Sequence, residues 1–286
     1  MDENKKVMMV MPHMMGGGAE RVAAQIINSM NRTGCETRFL LIRAKRDEVV
    51  NTDLDDKTGL ILLSEKLKAE SLLQKLAYLP LRLYSTFVGT LYEKKERDVP
   101  ASAGWASVVW QYHREIRWIR DYLLQYPDLA VMVFLQPAIP IVMLAAEGLP
   151  NRVVFSERAD PERLMKKRYG RRFIEKYYAR ADAAVFQTEA ARAGYPDNIA
   201  AKGTVIPNPL KPGLPDRYTG ERSKRIVTFC RISKQKNLPL AIRAFALFSE
   251  SHPEYTFAVY GDALYEEGLG VERECKKLIS ELNLAD

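Results

Sequence analysis

Short apolar runs recur along the chain at 7–11, 37–42, 60–63, 130–135, 153–156, 184–186 and 204–206, and between them apolar residues return every three or four positions. Runs this short and this apolar are expected as buried strands, and the intervening stretches as covering helices. The alternation predicts βαβ crossovers and a mostly parallel sheet. The pattern breaks at "PNPLKPGLPDRYTGERSK", rich in proline and glycine, which reads as a linker between domains. It restarts with a strand at 226–230, a helix near 238–250, a strand at 256–260 and a last helix near 266–283. The expected organisation is a Rossmann-like first domain over 1–207, a linker over 208–223 and the opening of a second α/β domain over 224–286. Two evident strands are few for a parallel sheet covered on both faces, so the second domain is expected to be incomplete.

Two stretches stand out from this pattern. Residues 129–146, "LAVMVFLQPAIPIVMLAA", carry no charge over a length close to that of a bilayer span. Gln136, Pro137 and Pro140 divide them, which favours a buried strand followed by a buried helix. Residues 65–125 mix leucines, aromatics and basic residues at loosely helical spacing. Two readings apply there: a helical insertion packed on the first domain, or an amphipathic surface that meets a membrane or a lipid-linked acceptor.

Candidate chemistry begins after the first strand, where Gly16, Gly17 and Gly18 lead into a helix with an apolar face of Val22, Ala23, Ile26, Ile27 and Met30. Glycines allow close backbone approach, and the free N–H groups of a helix N-terminus suit a phosphate or a sugar hydroxyl. The dinucleotide fingerprint is not met, because Arg21 stands at its last glycine and the second strand ends in Arg43 rather than an acid. A nicotinamide cofactor is therefore not expected. After the strand at 226–230, Arg231, Lys234 and Lys236 occupy the loop at the carboxyl edge, where open parallel sheets bind ligands. Asn237 is placed to cap the next helix, Pro239 suits its first turn, and Leu240, Ala241, Ala244, Phe245 and Phe248 are its expected buried face. A guanidinium and an ammonium beside a helix N-terminus suit a diphosphate.

Composition narrows the classes. With 286 residues, 47% hydrophobic and 28% charged, the chain is an ordinary globular one with room for two domains. A formal charge of +7 favours phosphorylated small molecules, anionic lipid or nucleic acid, but no nucleic-acid signature appears, and nucleic acid is not expected as a partner. Cys35, Cys230 and Cys275 are far apart and in no ligand spacing, which suggests a reducing, cytoplasmic setting, and the first residues lack the pattern of a signal peptide. "DLDD" at 53–56 reads as a polar loop, so no metal site is expected. His13, His113 and His252 are dispersed, with no G-x-S-x-G elbow. The basic cluster of Arg163, Lys166, Lys167, Arg168, Arg171 and Arg172 is a solvated helix face or an attractor for an anionic membrane.

Taken together, "GGGAERVA", "VVFSERADP", "ADAAVFQTEAAR", "VIPNP", "RISKQKNLPLAIRAF" and "FAVYGD", in this order, resemble the retaining, nucleotide-sugar-dependent glycosyltransferases of family 4. The resemblance implies the GT-B architecture of two Rossmann-like domains. It gives Arg231 and Lys236 the donor diphosphate and places Gly17 and Gly18 near the donor phosphates and the acceptor. Glu157 and Arg158 would line the cleft, with Pro207 and Asn208 at the crossover between domains. Transfer of a sugar from a nucleotide-diphosphate donor to a glycan or lipid-linked acceptor, with retention and without a metal or other cofactor, is the implied activity. The departing phosphate would accept the acceptor's proton, and the implied location is cytoplasmic, at the inner face of the membrane for a lipid-linked acceptor. The resemblance places the family's Glu-x7-Glu motif, which contacts the donor sugar and ribose, in further strands that follow "LISELNLAD". A second reading therefore stands beside the first: a non-catalytic module that binds an acceptor, a membrane or a partner.

Overall fold

All seven runs of the first domain become strands of one parallel sheet in the computed structural model, which describes residues 5–14, 17–46, 49, 54–67, 69–94, 98–165, 170–210, 213–263 and 265–284. The chain divides into two compact units, Met1–Lys211 and Pro212–Asp286. The first unit runs β1 (Lys6–Met11), α1 (Gly18–Arg32), β2 (Glu36–Leu41), β3 (Gly59–Leu62), α2 (Leu63–Lys66), α3 (Leu72–Ala77), α4 (Leu79–Lys94) and α5 (Ala101–Gln125). It continues with β4 (Ala130–Phe134), α6 (Ala138–Ala145), β5 (Val153–Ser156), α7 (Pro161–Met165), α8 (Gly170–Tyr177), β6 (Ala183–Phe186), α9 (Glu189–Ala193), α10 (Asp197–Ala200) and β7 (Gly203–Val205).

The strand order is β3-β2-β1-β4-β5-β6-β7, with every neighbouring pair parallel. The order reverses between β1 and β4, where Met9 stands between Phe39 on one side and Met132 on the other. β1 is buried from Val7 to Met11 because apolar layers cover both faces of the sheet. On one face α1 packs Val22, Ala23, Ala24 and Ile27 against Met9, Met11, Phe39 and Leu41, with Ile26 and Met30 half-covered at the margin, as its spacing predicts. On the other, α5, α6 and α8 close over Val131, Val133 and Phe155.

All eight residues of α6 are buried, which accounts for the uncharged stretch at 129–146: a core strand and a core helix in succession. Among the described residues no helix is long and apolar enough to cross a membrane. The long α5 bends at Tyr112, whose backbone leaves the helical region at φ −135° and ψ 19°. Arg43, found where a dinucleotide fold would carry its acid, donates to the Tyr112 hydroxyl at 2.7 Å and lies over that ring, so it ties the end of β2 to the bend.

The second unit holds β8 (Arg225–Phe229), α11 (Leu238–Ser249), β9 (Thr256–Tyr260) and α12 (Tyr265–Glu281), with β8 and β9 parallel. Its core is Leu238, Ile242, Val271, Cys275 and Leu278. This corrects the expected face of α11: Leu240 is 60% exposed and Ala244 is exposed, while Ala241, Phe245 and Phe248 are half-buried. The segment LPLAIRAFALF is apolar nearly all round, so its own periodicity cannot set the phase, and packing on α12 and β9 does. Asn237 also acts differently from expectation. It sits in the left-handed region at φ 49° and makes no side-chain cap, and its carbonyl accepts the N–H groups of Leu240 at 3.1 Å and Ala241 at 3.4 Å.

Candidate functional site

Parallel strands bring their carboxyl ends to one edge, and in the first unit that edge carries a row of polar groups. After β1, Gly17 opens α1 and its N–H donates to the Glu20 carboxylate one turn on. Glu20 is buried, and its other oxygen lies 2.8 Å from Nδ1 of His13, a half-exposed ring in the same loop. A Cβ on Gly17 would meet the Glu20 carboxylate at 2.5 Å, whereas one on Gly18 would meet nothing within 4 Å. The loop therefore holds an acid at the helix N-terminus and leaves an exposed backbone at Gly18. Gly16 lies outside the described residues.

After β4, beside the reversal in strand order, Leu135 takes φ 66° and turns the chain into Gln136. The Gln136 amide donates to Oε2 of Glu157 at 3.0 Å and to the Tyr178 hydroxyl. Glu157 follows β5 directly and is 3% exposed. Its Oε1 accepts the backbone N–H groups of Arg158 at 2.9 Å and Ala159 at 3.3 Å, so a buried carboxylate is held by donors on several sides. Arg158 stacks its guanidinium on the Phe134 ring, 4.6 Å from the centroid, and donates to Oδ1 of Asn208. Burial pulls the Arg158 pKa below the ordinary arginine value. Gln187, directly after β6, donates to the same Asn208 oxygen at 3.0 Å. Glu157, Arg158 and Asn208, named from the sequence, thus share one polar row, joined by Gln136, Gln187, Tyr178 and Phe134, which sequence reasoning missed. Gln136 and Gln187 carried the signal that marked Arg231: each is the first polar residue at or just past the end of an apolar run, in "FLQP" and "VFQTE".

In the second unit the corresponding edge is basic. β8 ends at Phe229, and the chain past it stays beside the chain past β9, with the Ile232 N–H donating to the Asp262 carbonyl at 2.9 Å and a bridge from Ile232 to Ala263. Gly261, at φ 140°, permits this approach, because a Cβ there would lie 1.9 Å from the Cys230 carbonyl oxygen. Ser233 then enters a single 3-10 turn, Lys234–Lys236, that ends at Asn237 and starts α11. Arg231, Lys234 and Lys236 are exposed, and none forms a salt bridge with another described residue. The Ser233 hydroxyl in the same turn is buried without a partner among the described residues. Positive charge and the start of α11 together favour an anionic ligand.

Other sequence candidates are placed elsewhere. Asp55 accepts the Lys57 N–H at 2.9 Å in a surface turn, while Asp53 lies outside the described residues. Among the described residues no group of three His, Cys, Asp or Glu side chains is arranged to hold a metal ion. Arg171 pairs with Glu175 at 2.8 Å along α8, and Lys166, Lys167 and Arg168 lie outside the described residues.

No protein-family model and no curated protein matches the chain. Solved structures do. The Anabaena protein Alr3699/HepE, determined with UDP and glucose, superposes with a TM-score of 0.64 at 15% identity, over 99% of this chain and 67% of that one. TarM superposes with a TM-score of 0.64 at 12% identity, over 99% and 75%. Sucrose-phosphate synthase from Thermosynechococcus elongatus gives 0.63 at 12% identity, over 99% and 69%. These relatives are GT-B glycosyltransferases. A reversing seven-stranded parallel sheet followed by a second parallel βαβ unit, superposed on them along nearly its whole length, gives this chain the GT-B-like α/β fold.

Proposed function

We propose that the chain belongs to a glycosyltransferase that moves a sugar from a nucleotide-diphosphate donor to a glycan or lipid-linked acceptor with retention, in the manner of family 4. The observation that carries the reading is the loop of Arg231, Lys234 and Lys236, exposed and without a salt bridge to another described residue, at the carboxyl edge of β8 and immediately before α11. Such a loop suits a diphosphate. When the bond to the sugar breaks, negative charge builds on the departing diphosphate, and fixed cations with a helix N-terminus stabilise that charge. Arg231 supplies a forked donor and Lys236 a point charge.

The first unit is assigned the acceptor. Glu20 already takes the Gly17 N–H and places a carboxylate at the start of α1, so the Gly17–Gly18 loop suits a neutral, hydroxyl-bearing group better than a phosphate. The row of Gln136, Glu157, Arg158, Gln187 and Asn208 offers amide, carboxylate and guanidinium groups, the chemistry that sugar hydroxyls pair with. No cofactor enters the proposed reaction.

Comparison of UDP with UMP, and of GDP with GMP, tests the assignment by calorimetry. The clamp predicts that losing the second phosphate costs about 2 kcal/mol, roughly thirtyfold in Kd, for the base that binds. Equal affinity for mono- and diphosphate would refute it.

A further inference from the structure

The helices α3 and α4 carry their large apolar residues outward. Leu72, Leu73 and Leu76 of α3 are 72%, 78% and 51% exposed, and α3 buries none of its residues. Along α4 the ridge continues through Leu79, Leu83, Phe87 and Leu91, at 37%, 62%, 70% and 38% exposure, with Tyr84 beside it at 43%. Each step along α4 is four residues, so these side chains form one ridge, about 20 Å long at 1.5 Å per residue. The inward side of α4, which packs on α5, uses Leu81, Ser85, Val88, Gly89 and Tyr92. A water-exposed helix buries its largest apolar groups, and α4 does the reverse for most of them.

Polar and aromatic contacts hold this arrangement in place. Glu70, just before α3, pairs with Nε2 of His113 on α5 at 2.9 Å, and Tyr78, between the two helices, stacks on the His113 ring at 3.7 Å. Arg82 lies over Trp110 at 5.1 Å, and the Tyr84 hydroxyl meets Ser102 at 2.8 Å. The α3–α4 segment is therefore fixed to α5 by these contacts while its exposed leucines point away.

Charge decides what covers it. Residues 71–92 contain Lys75 and Arg82, both exposed, and no acid. Two copies meeting ridge to ridge would bring like charges together, whereas an anionic lipid surface offers apolar depth beneath a negative headgroup layer. We propose that the α3–α4 ridge is a membrane-docking surface that inserts Leu72, Leu73, Leu76, Leu83 and Phe87 into the interface of an anionic bilayer.

The test is flotation of the chain with vesicles of mixed phosphatidylglycerol and phosphatidylcholine, against phosphatidylcholine alone. The expected result is binding to the anionic vesicles that weakens with added salt. Leu73→Gln with Phe87→Gln should lower it at least tenfold or so, because two side chains no longer bury apolar area. Lys75→Gln should lower it about fivefold. Both variants change exposed side chains, so an unchanged melting temperature shows that the fold is intact. Wild-type chain that stays out of the vesicle fraction, equal binding to both lipid compositions, or an unaffected double glutamine variant would each overturn the proposal. So would a wild-type dimer in sedimentation that the double variant dissociates, since a second copy would then own the ridge. The assay uses no nucleotide, so its result is separate from that of the donor assignment.

Discussion

A carboxylate with almost no exposure must be held by donors, and Glu157 accepts from Gln136 and from two backbone N–H groups. Glu157→Ala leaves those donors unpaired and is expected to cost about 2–3 kcal/mol in urea denaturation, with Glu157→Gln costing less because an acceptor remains. Tyr195 presents the opposite case: its ring packs on Phe186, and its hydroxyl is buried with no partner among the described residues. Burial, reinforced by Glu157, drives its pKa well above the ordinary tyrosine value of 10.0. Burial also raises Tyr112, Tyr122 and Tyr177. The folded state keeps these phenols protonated while the unfolded chain ionises at the ordinary value, so their stabilisation is complete below 10.0 and is lost as pH climbs past it. Tyr195→Phe should leave stability at neutral pH equal or higher and flatten the alkaline loss; a drop at neutral pH would show that the hydroxyl has a partner. Arg158 and Asn208 were legible as residues through the resemblance carried by "VVFSERADP" and "VIPNP". Their partnership was not, since it joins positions fifty apart through a fold that local spacing does not encode.

At the scale of elements, strands were the most legible. A parallel strand buried on both faces, as β1 is, reads as a short apolar block; each described strand overlaps the run that predicted it, although β8 and β9 are mostly exposed rather than buried. Helix α1 was equally clear, because its polar and apolar faces differ. Helix α11 was not: with apolar residues all round, its buried side depends on α12, far along the chain. Turn chemistry was read in kind but not in detail. Asn237 was expected to cap through its side chain, yet its tolerance of positive φ is what the turn uses. Gly261 carries the sharpest constraint in the second unit, since any side chain would strike the Cys230 carbonyl. Gly261→Ala is expected to destabilise that unit by at least about 2 kcal/mol, through strained φ and separation of the β8 and β9 ends, read as faster amide exchange at Cys230 and Ile232. Exchange at the wild-type rate would contradict the tight approach.

On the scale of the whole molecule, a charge of +7 did not identify a partner, because sign alone serves phosphate and lipid alike. The structure separates two basic features that the total merges: an open loop at the second unit's sheet edge and an apolar ridge with basic residues on the first unit. They call for different ligands and different salt responses, and each is tested without the other. The central claim concerns the loop, and calorimetric titration of UDP and GDP into the chain and into an Arg231→Ala, Lys236→Ala variant tests it most directly. The account predicts that one of the two nucleotides binds the wild-type chain and that the variant, with an unchanged melting temperature, loses about a hundredfold or more in affinity. Equal affinity in chain and variant would contradict it.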